Sequence, residues 1–544
     1  MTKSLLISII KNKNFFLPFL FILIFFTIVI LTTPIKQTFE YNPDEGINLI
    51  KTSLFQNGFS LYKEIWNDQP PLFTLILSFW LKMFGQSVYS ARILILIFSS
   101  ILLWALYQII RIRQGHLCAF IALIFLISSR DYILLSTSIM IGIPALCLAL
   151  LSILFVVSYA KDQSNYLIIL SGAFMGLSLQ TKFFTAFLIP IILLEIIQNS
   201  QLYLKKKKYI SSIGLWLISF SLVYLFITLI FFRLDPQLFI KNLFQPHFLK
   251  SAFAEFRYSF LSTLILLFKD SEIVIFALTS TFLIKKQKKR QLLFPLLWLA
   301  SACIILFNHR PVWKHHYLLI SIPLCWLAAE GLNKIIILTK INKKKFLKMK
   351  VLDKLNYLLH LLIVIVLIVL VVINLSAKYR TLHENLAQKI SSGEEEVIRM
   401  ILKHKNSTRW MFTDRPIFAF STNILVPPEL AVFSSKRRIT KNLTPDYLIS
   451  VLNKYKPEQI VLGRFQNYHP NLLSYIKKYY IEVHDFEIRK PLIISEYILW
   501  RPKRIWFGKY MLKYKTPFIE QESYPSPIKK IKILLRKDIA KLIN

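Results

Sequence analysis

Leu72-Phe73-Thr74-Leu75-Ile76-Leu77-Ser78-Phe79-Trp80-Leu81-Lys82-Met83-Phe84 decides how this chain is threaded. The run is apolar but short of the roughly 20 residues that a membrane-crossing helix needs, and Lys82 lies near its end. If it crossed, the link carrying Arg111 and Arg113, and every later basic cluster, would move to the outer side. Basic links belong on the cytoplasmic side. We therefore read 72–84 as an interfacial or re-entrant helix beneath a large first outer loop, 34–91.

Working outward, apolar blocks of near-membrane length lie at roughly 14–33, 92–110, 116–130, 138–158, 165–180, 183–199, 210–232, 259–284, 291–307, 317–337 and 355–376. That is about eleven crossings. Arg111 and Arg113, Lys205 to Lys208, Lys285 to Arg290 and Lys343 to Lys350 fall on one side of them. This places the N-terminus in the cytoplasm, and the links 34–91, 233–258 and 308–316 outside with everything after 376. The first block follows Lys3, Lys11 and Lys13 like a signal peptide, but no small-residue cleavage site follows it, so we read an anchor. Lys182 sits at the turn between 165–180 and 183–199, and a single kinked passage is the alternative there.

The bulk numbers agree with a multi-pass protein of a cell (plasma or inner) membrane. Of 544 residues, 55% are hydrophobic, too many for an ordinary soluble chain of this length. A net charge of +39 in a soluble protein would point to nucleic acid. Here the Lys and Arg cluster between apolar blocks, so topology explains them better, and no nucleic-acid partner is expected. Cys118, Cys147, Cys303 and Cys325 lie in or beside apolar blocks without CxxC spacing, which predicts neither disulfides nor a zinc knuckle. After Ser376 the composition turns polar. Strand-like Ile460–Leu462 and helix-like Tyr447–Lys454 predict a small α/β domain over 377–544, beyond an all-α membrane bundle over 1–376.

Two clusters carry candidate chemistry. The chain has 29 acidic residues, and four of them (Asp44, Glu45, Glu64 and Asp68) fall between positions 44 and 68 of the first outer loop. A partly desolvated carboxylate at a membrane surface gains basicity, and it also binds divalent cations. Asp44 and Glu45 are thus candidates for a general base, and Asp68 for a metal ligand. The competing reading makes Asp44 and Asp68 helix caps. The second cluster is Asn308-His309-Arg310-Pro311-Val312-Trp313-Lys314-His315-His316-Tyr317. Arg310 and Lys314 run against the positive-inside rule, and they suit a lipid phosphate. His315 and His316, with Asp68, suit a divalent metal such as Mg, Mn or Zn. An interfacial aromatic and basic belt is the plainer alternative. Lys182, deep in an apolar stretch, is a further candidate, with snorkelling to the interface as its alternative.

Asp44-Glu45-Gly46, then Tyr62 with Asp68-Gln69-Pro70-Pro71-Leu72, Phe84-Gly85 with Ala91-Arg92, Gly176 with Thr181-Lys182, and His315-His316-Tyr317 with Pro323 occur in that order. This order resembles the C-type glycosyltransferases that use polyprenyl-phosphate sugars, in the branch of bacterial relatives of protein O-mannosyltransferases and lipid A aminoarabinose transferases. The resemblance implies the C-type fold with juxtamembrane helices in the first outer loop. It implies a transfer role for Asp44 and a metal role for Asp68; because Gln69 departs from it, donor-phosphate contacts are expected from Lys314, Arg310 or Lys182, with Tyr62 as a further candidate. Two positions depart from it. Gln69 stands where aminoarabinose transferases have a lysine, and Gly142 stands where many relatives have an acid.

The expected activity is transfer of one sugar, with inversion, from a polyprenyl-phosphate donor in the membrane lipid to a glycan, lipid or protein acceptor outside the cytoplasm. A flippase of lipid-linked sugars, or an inactive relative that binds a partner, are the competing readings. A flippase needs polar groups and broken helices near the bilayer midplane.

Overall fold

The computed structural model describes residues 13–129, 131–203, 207–232, 235–245, 259–283, 290–309, 312–339, scattered positions between 351 and 380, then 393–465, 468–489 and 528–543. The chain is a multi-span bundle of apolar helices followed by a small mixed sheet. Among the described residues, Val88–Gln114, Gly142–Asp162, Ile210–Phe232 and Lys314–Ile337 are long and apolar enough to cross a membrane, and several shorter apolar helices pack with them.

Lipid tails are as apolar as leucine, so these helices associate through close packing and buried polar contacts rather than hydrophobic exclusion. Gly172 and Gly176, one turn apart, lie against helix Lys207–Phe232. A Cβ at Gly172 would stand 2.4 Å from the Trp216 carbonyl oxygen. On the far side of that helix Leu222 and Phe226 face outward, as a lipid-facing stripe does.

Leu72–Phe84 is a separate helix of 13 residues, as predicted. The pair at 165–199 is a hairpin and not one kinked passage. Asn165–Leu179 rises to Lys182, and Leu188–Tyr203 returns, so that Glu195 pairs with Arg113 at 2.6 Å at the opposite end of the bundle. The crossing predicted at 259–284 is instead two helices, Ser259–Leu267 and Ser271–Leu283. The charges explain the break. Lys269 pairs with Asp131, and Asp270 accepts from the Tyr317 hydroxyl. Two adjacent charged side chains find partners at a helix end, where a continuous apolar helix would strand them. The crossing expected at 355–376 falls where only scattered residues are described.

The C-terminal sheet has strands β1 (Met411–Thr413), β2 (Gln459–Leu462), β3 (Tyr480–Arg489) and β4 (Ile528–Arg536) in the order β1-β2-β4-β3. β1 and β2 are parallel, and the other pairings are antiparallel. The predicted Ile460–Leu462 and Tyr447–Lys454 fall within β2 and helix Pro445–Tyr455.

The period of two along a strand divides its side chains between two cores. Phe412, Ile460 and Leu534 face Leu448, Leu452, Leu472 and Ile476 of the domain's own helices. Met411, Val461 and Ile533 face the other way, into a core shared with Ile50 and Leu54 of loop helix Pro43–Gln56 and with Phe232 of the bundle. The seam is tight: a Cβ on Gly46 would meet the Ile417 backbone nitrogen at 2.5 Å. Arg415 closes it with an ion pair to Glu40 at 3.0 Å, both nearly buried.

Candidate active site

Where the sheet domain meets the first outer loop and one end of the bundle, a cavity of about 900 Å³ opens. Its lining comes from helix ends at that one face: the first turns of Pro43–Gln56 and Gly142–Asp162, the Leu179–Phe187 turn, and the end of Arg290–Asn308 with His315 and His316 following.

Helix Pro43–Gln56 starts at Pro43, a residue preset for a first helical turn, and is capped by Asn42, whose Oδ1 accepts the Asp44 N–H at 2.9 Å. Asn42 performs the capping that Asp44 would otherwise be there to supply. Asp68 caps nothing either, because helix Leu72–Phe84 begins behind Pro71 without a side-chain cap.

Asp44, Asn48 and Lys51 are spaced by four and three residues, share one helix face, and all line the cavity. Among the described residues nothing hydrogen-bonds the Asp44 carboxylate. Burial pushes its pKa up, while Arg464 and Lys182 nearby pull it partly back. Lys182 and Lys51 face the same space, and burial holds each ammonium down to about 8. Lys51 donates to Asn67 Oδ1 at 3.1 Å, and Lys182 lies 5.4 Å from the Phe184 ring centroid.

Glu45, the neighbour of Asp44, points away from the cavity and is fully buried. Its carboxylate pairs with Arg92 at 2.7 Å and accepts the Tyr41 and Ile139 N–H groups. Tyr62 is also outside the cavity lining. Its hydroxyl donates to the Gln69 carbonyl at 2.8 Å, and its ring packs on Phe232 at 4.4 Å. Lys314 is exposed and does not line the cavity, and Arg310 lies outside the described residues.

Asp68, His315 and His316 all line the cavity, but they do not form a metal-binding set. Asp68 is held by Lys436 at 2.6 Å. His316 Nδ1 accepts the Trp313 N–H at 3.2 Å, which leaves Nε2 as the protonated nitrogen of the neutral ring and so no free lone pair for a metal. Among the described residues no three His, Cys, Asp or Glu side chains converge.

Lys51, Lys436 and Arg464 are the cavity groups that sequence reasoning missed. The face spacing from Asp44 was a signal for Lys51. None existed for Lys436 or Arg464, which lie hundreds of residues from the loop they approach.

At one end of a multi-span bundle, the cavity thus brings several cations together with a carboxylate that has no hydrogen-bond partner among the described residues. The family described as dolichyl-phosphate-mannose-protein mannosyltransferase matches residues 68–226. No curated protein matches over the chain. Among solved structures the fold is similar to ArnT from Cupriavidus metallidurans. The form bound to undecaprenyl phosphate gives a TM-score of 0.59 at 13% identity, over 86% of this chain and 96% of that one. The apo form gives 0.58 at 12%, over 84% and 94%. Archaeal oligosaccharyltransferase AglB from Archaeoglobus fulgidus, in complex with an inhibitory peptide and a dolichol-phosphate, gives 0.51 at 12%, over 83% and 69%. The family match thus covers residues 68–226 of the bundle, and the fold is shared with ArnT and AglB.

Proposed function

We propose that this protein transfers one sugar from a polyprenyl-phosphate donor to an acceptor hydroxyl on the non-cytoplasmic face, inverting the anomeric carbon. The observation that carries this is the Asp44 carboxylate, raised in basicity and without a hydrogen-bond partner among the described residues, in a cavity it shares with buried cations. The ArnT relative with undecaprenyl phosphate bound supports the choice of donor.

The acceptor oxygen attacks the anomeric carbon while Asp44 takes its proton. The bond from that carbon to the phosphate oxygen breaks in the same displacement, and the electron pair leaves with the polyprenyl phosphate. Lys182 and Lys51 stabilise the charge that develops there. Glu45 and Arg92 act one layer back, holding the turn that presents Asp44. The acceptor is a glycan, lipid or protein.

Residues 1–376 form the transferase bundle and 377–544 an outer domain, with the N-terminus cytoplasmic. Arg111 and Arg113, in the last turn of Val88–Gln114 at the end of the bundle away from the cavity, support this orientation. The position of the cavity at one end of the bundle favours transfer over flipping, which needs a polar path at the midplane. A radiolabelled polyprenyl-phosphate sugar in proteoliposomes tests the proposal. Label moving to an acceptor supports it; label crossing the bilayer untransferred, or staying on the donor with every acceptor class, overturns it. A reporter fused after Ser376 that works only in the cytoplasm overturns the orientation.

A further inference from the structure

Two of the cations facing the cavity belong to the sheet domain. Arg464 follows β2 on a loop tied down by one fully buried carboxylate. Asp414 accepts the N–H groups of Gly463, Arg464 and Phe465 at 2.8, 2.7 and 2.9 Å, and the Tyr468 hydroxyl at 2.5 Å. The Arg464 guanidinium donates to the Phe433 carbonyl at 3.1 Å and lies 5.1 Å from the Phe465 ring centroid. Its direction into the cavity is therefore fixed before any ligand arrives. Lys436 sits on the short helix Ser435–Ile439, which Ser434 caps. Arg437 anchors that helix from the buried side, donating to the Glu429 and Val432 carbonyls and lying over the Trp66 ring.

The cavity thus holds four cationic side chains, Lys51, Lys182, Lys436 and Arg464, against two carboxylates, Asp44 and Asp68. The excess of two positive charges matches the dianion of a phosphate monoester. Preset, poorly hydrated cations in a water-poor site hold such a group far better than the same charges in bulk water. We infer that Arg464 and Lys436 are ligands of the phosphate bound in this cavity, so that the C-terminal domain completes the binding site instead of only covering it. The inference takes this monoester from the proposed function, as the polyprenyl phosphate that leaves when the donor's singly charged diester is cleaved, but it concerns binding alone and needs no transfer to occur.

The test uses the full chain in nanodiscs, with polyprenyl phosphate as the probe and polyprenol, its uncharged counterpart, as control. Arg464→Gln and Lys436→Gln are each expected to weaken polyprenyl phosphate binding roughly tenfold, the loss of one charge-assisted hydrogen bond, and to leave polyprenol binding unchanged. Arg464→Lys keeps the charge and recovers part of the loss. Asp68→Asn separates a ligand from a docking pin, because it breaks the same ion pair but leaves Lys436 in place. As a ligand, Lys436 binds phosphate at least as tightly in that variant. If Asp68→Asn weakens binding as much as Lys436→Gln does, Lys436 serves only to dock the domain, and its assignment falls. If the double variant Arg464→Gln/Lys436→Gln melts like the parent and binds polyprenyl phosphate unchanged, the whole inference is overturned. A chain that binds the phosphate through these residues but transfers no sugar keeps this inference and loses the proposed function.

Discussion

The cavity floor and the β2 loop of the sheet domain each centre on an aspartate withdrawn from bulk water, and the two are treated in opposite ways. Asp414 is fully buried and receives three backbone N–H groups and a tyrosine hydroxyl. Asp44 is half-buried and, among the described residues, receives none at its carboxylate. A carboxylate that several donors hold in place is a structural knot. One that is desolvated and left without donors is a base waiting for a proton. Glu45, next to Asp44 in sequence, falls in the first class. Composition alone does not distinguish these acids; their hydrogen-bond partners do.

The comparison breaks first at Glu45. Glu45→Gln leaves the Arg92 guanidinium buried without its counter-charge, and such losses cost roughly 3–5 kcal/mol. The expected outcome is a large fall in folded protein, read as membrane yield and melting temperature. A stable Glu45→Gln protein that has lost only its turnover would put Glu45 with Asp44. Asp44→Asn is expected to insert and melt normally, since Asn42 and not Asp44 caps the helix. Its transfer rate should fall at least about a hundredfold, the low end of what a positioned general base supplies. Near-parental turnover would remove Asp44 from the mechanism.

A smaller effect concerns pH. Burial raises the pKa of Asp44, so its basic form is lost as pH falls through a value above the ordinary carboxylate range. Burial lowers Lys182 to about 8, so its charge is lost as pH rises through that value. The rate should follow a bell, with an acid limb displaced upward and an alkaline limb near 8. A profile flat from pH 5 to beyond pH 9 would contradict both roles. The smallest effect is a control on the exposed pair Lys454–Glu429, 2.6 Å apart, with Lys454 62% exposed. Lys454→Ala should change stability by less than about 1 kcal/mol and leave the rate alone.

Much of the bundle was legible because a bilayer forces its pattern on the sequence. The bounds of Leu72–Phe84 as a short separate helix could be read from its apolar run. The break at Lys269-Asp270 was missed because hydropathy averages over two charges whose partners, Asp131 and Tyr317, lie elsewhere in the chain. At the site, Asp44, Asp68, Lys182, His315 and His316 were legible and meet in one cavity. The direction of Glu45 was not, since adjacent helix residues point about 100° apart and only tertiary contacts say which one meets solvent, nor was that of Tyr62, which lies in a turn at positive φ. Lys436 and Arg464 were beyond reach for a deeper reason. Their place depends on how a whole domain docks, and docking leaves no local periodicity in sequence.

The contact of Gly46 with the Ile417 backbone has a consequence for anyone rebuilding this molecule from parts. Soluble and membrane portions of such chains invite exchange, as if they were interchangeable modules. Here the helix that carries Asp44 is wedged against the backbone of the sheet domain at a distance that only a hydrogen side chain permits. A graft that brings another domain onto this bundle must reproduce that approach to atomic tolerance. One that leaves a gap frees the helix to tilt, and one that crowds it pushes Asp44 off its station. The junction, more than either portion, is therefore the unit of inheritance: a working chimera has to take loop 34–91 and the sheet domain from the same parent.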